Sequence, residues 1–359
     1  MTEGRCVFLR ILPILLIALA LAPGTYVRTP VTRGFDKPIT LHTVDEPGEE
    51  PPAGWTLEGV WEYRGKGRAF GGFSALLSLP DNTLRAFSDR GTRFTFREPD
   101  KPQEPFKRGD RLRPPTMLDL QFVTEGYWKT LWDIESATND PQTGQYWLGY
   151  ENVHAIQRFN VRSEPEDVRI IADEVDWSVN SGAEAMVRLR DGRFVIIPES
   201  GGDGLIYPDD PNSGVMPATF TYEPPLRGFG ITDATELPDG RLLLLVRKVV
   251  WGLPPFEVRI AIADLPRAGE PQVMKPEFIV DLTAIAPRDN YEGIALKERE
   301  DGALDIWLIS DDNLSAMQRT LVVKLRLDPQ AMDAADGVEV SDEAEEAVQI
   351  EQPKQKARE

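Results

Sequence analysis

Acidic side chains recur at two fixed points of a repeated sequence pattern. One set opens a series of short apolar segments, and the other closes the next apolar segment 14 to 20 residues later. Carboxylate oxygens are hard ligands that favour Ca²⁺ or Mg²⁺ over zinc. Carboxylates that converge also repel one another unless a cation or a raised pKa relieves the charge. We therefore predict a divalent-cation site, with Ca²⁺ or Mg²⁺ as the cofactor, formed by Glu135, Glu184, Asp233, Glu292 and Asp312.

Four of these acids share one position of the repeat, namely Glu135, Glu184, Asp233 and Glu292, and Ser74 holds that position in the first repeat. In a ring of repeats, equivalent positions converge on the central channel, so we expect an acidic ring with one neutral member. The alternative is that each acid caps a backbone amide within its own repeat.

The residues that close the second apolar segment are candidates for catalysis and for phosphate binding. The predicted catalytic carboxylates are Asp89, Glu151, Glu199 and Asp311. The predicted phosphate-binding residues are Arg90, Arg247 and Arg319. A guanidinium makes bidentate contacts with phosphate, and a cation on the same group would stabilise the charge that develops during phosphomonoester hydrolysis. The alternative is that these arginines pair with neighbouring acids and hold loops together.

Other catalytic patterns are weaker in this sequence. The stretch 72–76 is not a Gly-x-Ser-x-Gly elbow. Only two histidines occur, and His42 lies in a predicted linker, which leaves His154 as the one histidine available for a triad. The sequence has no Walker loop, dinucleotide fingerprint or Cys/His zinc spacing.

The elements that carry these residues have the pattern of strands. The opening residues recur every 49 to 61 residues, and Asp-Gly turns follow several of them, which is a strong hairpin signal. The apolar runs are short and rich in β-branched residues, without the three-to-four-residue spacing of helices. Four strands in about 50 residues is the size of a β-propeller blade. We therefore predict an all-β chain that forms a single β-propeller.

The blade count follows from how the ring closes. The last repeat ends near Leu327 with only three strands, and the segment Trp55–Tyr63 could supply its fourth. This closure would leave no exposed sheet edge between the two ends of the chain. Five blades are favoured, and six are the alternative if residues 93–132 contain another blade.

The ends of the chain differ from this pattern. We predict a signal peptide or N-terminal anchor over 1–22, a Pro/Gly-rich linker over 23–54, the propeller over 55–330 and a disordered acidic tail over 331–359. The single cysteine, Cys6, lies in the first segment, so the exported protein would have no disulfide. The net charge of −19 argues against nucleic acid and against an anionic membrane surface as partners. We expect a periplasmic or extracellular monomer that contacts a membrane only through an uncleaved N-terminal segment.

A series of short motifs resembles one family of exported bacterial proteins. The motifs are Phe-Ser-Ala-Leu (73–76), Ser-Asp-Arg-Gly (88–91), Asp-Ile-Glu (133–135), Gly-Ala-Glu-Ala (182–185), Leu-Pro-Asp-Gly-Arg (237–241), Asn-Tyr-Glu-Gly-Ile-Ala (290–295) and Ser-Asp-Asp-Asn (310–313). In this order they resemble the phytase-like, or "esterase-like activity of phytase", family over roughly residues 55–327. The resemblance implies a propeller and a hydrolase of phosphoesters or related esters.

Two functions from different classes remain open. The first is an exported, cation-dependent hydrolase whose substrate is a small ester or phosphoester bound at an acidic channel mouth. The second is a propeller without enzymatic activity that binds a ligand or a cell-envelope partner and uses its cations structurally. Propellers host both roles, so the fold alone does not choose between them.

Overall fold

Short antiparallel strands make up nearly all of the regular structure. The computed structural model describes residues 39–336, apart from 47, 66–69, 102–115, 118–120, 125–126, 132, 152, 179–180 and 267–271. The predicted signal segment 1–22 and the tail from 337 onward therefore lie outside the described residues. Within the described residues, no helix is long and apolar enough to cross a membrane.

The strands follow one another along the chain in sheets of four. Two strands come first, β1 (Thr40–Thr43) and β2 (Trp55–Arg64). The first blade contains β3 (Phe73–Leu79), β4 (Thr83–Ser88), β5 (Thr92–Arg97) and β6 (Thr116–Met117). A separate hairpin follows, formed by β7 (Gln121–Thr124) and β8 (Tyr127–Thr130). The second blade contains β9 (Ile134–Asn139), β10 (Tyr146–Tyr150), β11 (Ala155–Phe159) and β12 (Pro165–Ile170).

The remaining blades repeat this order. The third contains β13 (Ala183–Arg188), β14 (Phe194–Pro198), β15 (Gly202–Tyr207) and β16 (Ala218–Tyr222), and a 3₁₀ turn, Pro211–Ser213, precedes its last strand. The fourth contains β17 (Gly230–Glu236), β18 (Leu242–Val249), β19 (Phe256–Ala263) and β21 (Glu277–Asp281), while β20 (Val273–Met274) pairs in parallel with β16. The helical turn α1 (Leu282–Ile285) leads to the fifth blade, β22 (Tyr291–Glu298), β23 (Leu304–Ser310) and β24 (Thr320–Leu327), and α2 (Pro329–Asp336) follows.

The predicted Asp-Gly hairpins are present. Gly192, Gly240 and Gly302 each adopt a positive φ, at +94°, +90° and +82°, between the first and second strands of their blades. Glycine carries no Cβ, so this backbone conformation costs it little strain. The turn residues thus fix where each innermost strand ends and the next strand begins.

Five innermost strands, β3, β9, β13, β17 and β22, pack side by side around a central channel. The five-blade prediction is confirmed. The described part of residues 93–132 adds strands to the first blade and the separate β7–β8 hairpin, not another four-stranded sheet. We call the end of the channel where the innermost strands begin the upper end, and the opposite end the lower end.

The N-terminal strand closes the last blade, as the sequence predicts. Trp55 pairs with Leu327 and Tyr63 with Thr320, so β2 lies beside β24 in antiparallel register. Part of the predicted linker belongs to the sheet, because β1 pairs with β2 as a fifth, outer strand of the last blade.

The hydrophobic core is divided among the seams between blades. Among the described residues, five clusters of buried side chains each join two adjacent blades. The cluster between the fifth and first blades, for example, contains Trp307 and Val322 from one sheet and Phe73 and Leu84 from the other. This packing holds the innermost strands in fixed register, and that register positions the side chains at the upper end.

Candidate functional site

Every innermost strand carries a β-bulge close to its start. A register shift against the second strand leaves one extra residue in each blade. The bulged residues are Ser74, Glu135, Glu184, Thr232 and Glu292. Bulges bend a strand and re-aim its side chains, and they are frequent next to active sites. The five blades therefore present one equivalent side chain each at the upper end, three of which are glutamates.

A second set of side chains lies at the same end, directly after the second strand of four blades and near the end of that strand in the fourth blade. These residues are Asp89, Glu151, Glu199, Arg247 and Asp311. The backbone fixes their position: the amides of Asp89, Glu151 and Asp311 donate to carbonyls just before the bulges at 2.9, 3.0 and 2.8 Å. In the fourth blade, Arg247 pairs with Gly230 in the same way. All four predicted catalytic carboxylates and one predicted phosphate-binding arginine thus occupy one structural position.

The two sets form one electrostatic unit. Burial raises the pKa of Glu135 well above its ordinary value, and the charges of Glu184 and Glu292 raise it further. Burial likewise raises the pKa of Glu184, with added contributions from Glu199 and Glu151. We call this group the carboxylate cluster; its members are Asp89, Asp133, Glu135, Glu151, Glu184, Glu199, Glu292 and Asp311.

Three members of the carboxylate cluster fit a metal ion. Asp133, Glu135 and Glu151 each offer one oxygen, and the three oxygens lie within 4.8 Å of one another. Burial, followed by the charges of Asp133 and Glu199, raises the pKa of Glu151 to about 7. An all-oxygen donor set with unrelieved negative charge suits Ca²⁺ or Mg²⁺. The residues present therefore fit the cation that the sequence predicts.

Arg247 is the positive charge inside the cluster. Its Nη1 donates to Glu292, and its Nη2 lies 3.8 Å from an oxygen of Glu199. Asn290 donates to the same Glu292 oxygen at 2.7 Å, which holds that carboxylate in place. The guanidinium also lies 5.4 Å from the ring centroid of Phe256. A guanidinium has five N–H donors, so these contacts leave Arg247 able to bind a further oxygen.

The other two predicted phosphate-binding arginines lie at the edge of this site. Arg90 donates to the carbonyl of Gly71 at 2.7 Å, and its Nε lies 3.4 Å from Asp89. Arg319 pairs with Glu46 at 2.6 Å and with Asp289 at 3.5 Å, neither of which belongs to the carboxylate cluster. The contacts of Arg319 therefore fit the alternative role, in which the arginine pairs with acids and holds loops together.

Two predicted metal ligands instead hold the backbone. Asp233 is buried and accepts from the amides of Ala234 at 2.8 Å and of Ile294, in the next blade, at 2.9 Å. Asp312 accepts from Gly72 and Leu314, both at 3.0 Å. The structure therefore places neither carboxylate in an open ligand position.

The bulge explains why Asp233 differs from the glutamates. The extra residue of the fourth blade is Thr232, so Asp233 corresponds to the residue after the bulge in the other blades. The spacing of the repeat residues in the sequence indicates that Thr232 holds the bulge position. Ser74 and Glu184 each stand 15 residues before the closing residue of their repeat, and the same spacing from Arg247 leads to Thr232.

Asp133 is the cluster member that the site prediction missed. It directly precedes the strand that carries Glu135, in the position that Gly72 holds in the first blade. Both residues have a left-handed backbone, with φ of +68° and +69°. A non-glycine residue pays a steric cost there, so an aspartate at a glycine position was the available signal of function.

A separate cavity opens at the lower end of the channel. Its volume is about 450 Å³, and all five innermost strands line it. Its charged side chains are paired: Arg188 lies 3.4 Å from Asp140, and Arg190 lies 2.5 Å from Glu298. None of the predicted site residues lines this cavity. His154, the only histidine considered for a triad, has its ring against Trp177, 5.9 Å between centroids.

Comparison with known proteins supports the family resemblance. A family model described as "Phytase-like: Esterase-like activity of phytase" matches residues 68–314. No curated protein matches the sequence.

Among solved structures, a streptogramin B lyase is 9% identical, with 83% of this chain and 100% of that chain covered and a TM-score of 0.36. A virginiamycin B lyase from Staphylococcus aureus is 10% identical, with 81% of this chain and 100% of that chain covered and a TM-score of 0.38. A luciferin-regenerating enzyme is 11% identical, with 80% of this chain and 95% of that chain covered and a TM-score of 0.39. Likeness at this level bears on neither substrate nor mechanism.

Proposed function

The chain belongs to the phytase-like ("esterase-like activity of phytase") family, and we propose that it hydrolyses phosphoesters or related esters at the carboxylate cluster in a cation-dependent reaction. The observation that supports this proposal is the convergence of a three-carboxylate ligand set and one guanidinium at the same end of the channel. Hydrolysis of an anionic ester needs positive charge against the substrate oxygens, and these are the groups that can provide it.

Asp133, Glu135 and Glu151 would hold the cation, Ca²⁺ or Mg²⁺. A divalent ion at this position supplies the positive charge that draws an anionic ester into an otherwise repulsive acidic site. Arg247 would bind a second oxygen of the same substrate. It keeps its contact with Glu292 while doing so, because its guanidinium presents donors on more than one edge.

The remaining cluster carboxylates would move protons. In the reaction, a water oxygen forms the new bond to phosphorus or to the acyl carbon, and the bond to the ester oxygen breaks. One carboxylate accepts the proton that the water loses, and the departing alcohol gains a proton. Asp311, a predicted catalytic carboxylate outside the ligand set, would hold and release this proton, because burial raises its pKa well above the ordinary value. Asp89 and Glu199 lie at the more exposed rim, where substrate arrives.

The test is an assay of the purified protein against a panel of phosphomonoesters and carboxylesters, with chelator and with added Ca²⁺ or Mg²⁺. We expect turnover of at least one ester class that chelator abolishes and that Glu135→Gln reduces strongly. Glu236→Gln is the matched control, because this carboxylate belongs to the lower cavity. Turnover that survives both chelator and Glu135→Gln would overturn the proposal, and so would a cation-loaded protein that hydrolyses nothing in the panel.

The second candidate is a propeller without enzymatic activity whose cation is structural. The lower cavity favours it, because about 450 Å³ is within the usual size of small-molecule sites. In that case Ca²⁺ should stabilise the fold while no ester is hydrolysed. Substitutions in the lower cavity, and not in the carboxylate cluster, should then change ligand binding.

A further inference from the structure

A hairpin of the fourth blade carries large apolar side chains into solvent. The strands β18 and β19 are joined by a turn that the Val250 amide closes by donating to the Pro255 carbonyl at 2.9 Å. Around this turn Trp251 is 79% exposed, and Val249 and Leu253 are each 71% exposed. We call residues 249–254 the apolar tip. Scattered apolar residues are normal on a protein surface, but three on one short turn form a patch.

Basic side chains surround the apolar tip. Lys248 directly precedes it, and Arg288 lies against Gly252, where an added Cβ would come within 2.5 Å of its guanidinium. The neighbouring turn carries Arg227 beside Leu226, which is itself 52% exposed. That turn packs on the tip strand, because Lys248 lies 5.6 Å from the ring centroid of Phe229.

These three cations are available to an external partner. Among the described residues, no carboxylate lies within 4.0 Å of a charged nitrogen of Arg227, Lys248 or Arg288. Glu257 stands opposite Lys248 across the hairpin, but its carboxylate pairs with Arg259 at 2.7 Å. The local surface is therefore basic, although the whole chain carries a net charge of −19.

The apolar tip lies at the upper end of the channel, and the N-terminal part of the chain meets the propeller at the same end. Thr40, the first residue of β1, pairs with Arg64, directly after the Tyr63–Thr320 pair that marks the upper edge of the fifth blade. The sequence places residues 23–38 between the apolar run of the N-terminal segment and the described chain. Fully extended, that stretch reaches at most roughly 55 Å.

We propose that the apolar tip and its basic surround dock onto an anionic phospholipid surface. Tryptophan and leucine enter the boundary between headgroups and acyl chains, while lysine and arginine beside them contact the headgroup phosphates. Acidic side chains on distant parts of the chain do not prevent this contact, because charges farther than the Debye length of about 8 Å are largely screened at physiological salt. The upper end of the channel then faces the bilayer.

The test uses the full chain with Cys6→Ser and one new cysteine labelled with a polarity-sensitive fluorophore. Leu253→Cys places the label on the apolar tip. Val161→Cys is the matched control, because it is also exposed (63%) and lies in the β11–β12 turn at the lower end. Vesicles of phosphatidylcholine are added with or without phosphatidylglycerol. We expect emission from the label at 253 to shift to shorter wavelength, more strongly with phosphatidylglycerol, while the label at 161 does not respond.

Charge and apolar contact can be separated by further variants. The triple substitution Arg227→Gln, Lys248→Gln and Arg288→Gln should remove the added response to phosphatidylglycerol, and Trp251→Ser should weaken the response to both vesicles. Neither change touches the carboxylate cluster, so ester hydrolysis in solution should stay within about twofold of the parent. Equal responses at 253 and 161 would overturn the proposal. Absence of any response at 253 would also overturn it, and would leave the apolar tip as a surface for a protein partner.

Discussion

At the scale of single residues, the carboxylate cluster is a set of charges that the fold alone does not balance. Its eight carboxylates have two guanidinium neighbours, Arg247 inside the cluster and Arg90 at its edge, and burial raises the pKa of Glu135, Glu184 and Asp311 well above the ordinary range. Each raised pKa means that the folded chain holds a proton more tightly than the unfolded chain does. Two positive charges can take the place of those protons: a bound divalent cation and the guanidinium of Arg247.

The first prediction concerns Arg247. Arg247→Gln removes the guanidinium that is bound to Glu292, so we expect kcat to fall about 100-fold or more, the usual effect of losing a charge-stabilising donor. Arg247→Lys keeps the positive charge but loses the forked pair of N–H donors, so its kcat should lie between that of the parent protein and that of Arg247→Gln. Steady-state kinetics of an ester found to be a substrate would measure this. A change confined to melting temperature, with kcat intact, would assign Arg247 a purely structural role.

The second prediction concerns pH and Ca²⁺ together. Because folding raises the pKa of Glu151 to about 7, the stability that it contributes is present below about pH 4.5 and is lost as pH rises through about 7. The raised pKa values of Glu135 and Glu184 act in the same direction. In chelator, the melting temperature should therefore fall between pH 5 and pH 8, by at most about 2–4 °C per kcal/mol lost. Carboxylates whose pKa is lowered by salt bridges, such as Asp191 and Asp239, are already ionised at pH 5.

Added Ca²⁺ should reverse this loss, since the ion binds the ionised carboxylates of the folded state. The increase in melting temperature should be larger at pH 8 than at pH 5, and Glu135→Gln should diminish it. Scanning calorimetry at the two pH values measures both effects. A melting temperature that rises from pH 5 to pH 8 in chelator would contradict the assignment of unrelieved negative charge.

At the scale of elements, each innermost strand does two tasks at its first residues. Three bulged residues, Glu135, Glu184 and Glu292, belong to the cluster, and in the second and fourth blades the residue after the bulge contacts the neighbouring blade. The second task is visible at Ser136, whose hydroxyl donates to the carbonyl of Ala183 at 2.6 Å, and at Asp233, which accepts from Ile294. One side of the bulge therefore carries the side chains of the candidate site, and the other side contacts the seam between blades.

The third prediction separates these tasks. Asp233→Ala leaves the buried amides of Ala234 and Ile294 without acceptors, so the free energy of unfolding should fall by about 2–4 kcal/mol. The Ca²⁺ response should remain. Glu184→Gln should give the opposite pattern, with stability in chelator retained and the Ca²⁺ response reduced. Urea unfolding with and without Ca²⁺ distinguishes the two, and loss of the Ca²⁺ response in Asp233→Ala would return this residue to the cation site.

The sequence predicts the blades better than it predicts the bulges. Asp-Gly turns and apolar runs are local signals, so the five hairpins and the closing strand Trp55–Arg64 could be located without a structure. A bulge depends on how two strands align, and alternation of residues does not reveal the extra one. For this reason the sequence pattern predicts Asp233 at the position that Thr232 occupies, and it does not identify Asp133 as a neighbour of Glu135 and Glu151. Arg319 lies outside the carboxylate cluster because it pairs with Glu46 and Asp289. These partners come from distant parts of the chain, so the sequence does not indicate the pairing.

At the scale of the whole molecule, the ring depends on segments from both ends of the chain. The helix α2 adds to the closure, since Met332 is buried in the cluster that also contains Trp55. The amide of Met332 donates to the Asp328 carbonyl at 3.1 Å, which starts this helix directly after β24. The structural domain thus extends slightly past the boundary at 330 that the sequence suggests.

The fourth prediction concerns truncation at this end. Removing residues 337–359, which are acidic and poor in apolar side chains, should change the melting temperature by less than about 2 °C. Removing 329–359 also deletes Met332, and the free energy of unfolding should then fall by about 2–4 kcal/mol, as for other large buried side chains. Thermal melts of the two truncated proteins decide this. A large loss from the shorter truncation would show that the acidic tail docks on the propeller.

The pairing of Tyr63 with Thr320 also sets the order of events during synthesis. The strand made first in the ring has to wait until roughly 250 further residues are made, which takes roughly 10–50 s at about 5–20 residues per second. Throughout that time β2 is an unpaired edge with an apolar face, and the first blade lacks its neighbour. Until the fifth blade is made, the edge of β2 that β24 later covers stays exposed, so we expect the nascent chain to close its ring only at the end of synthesis.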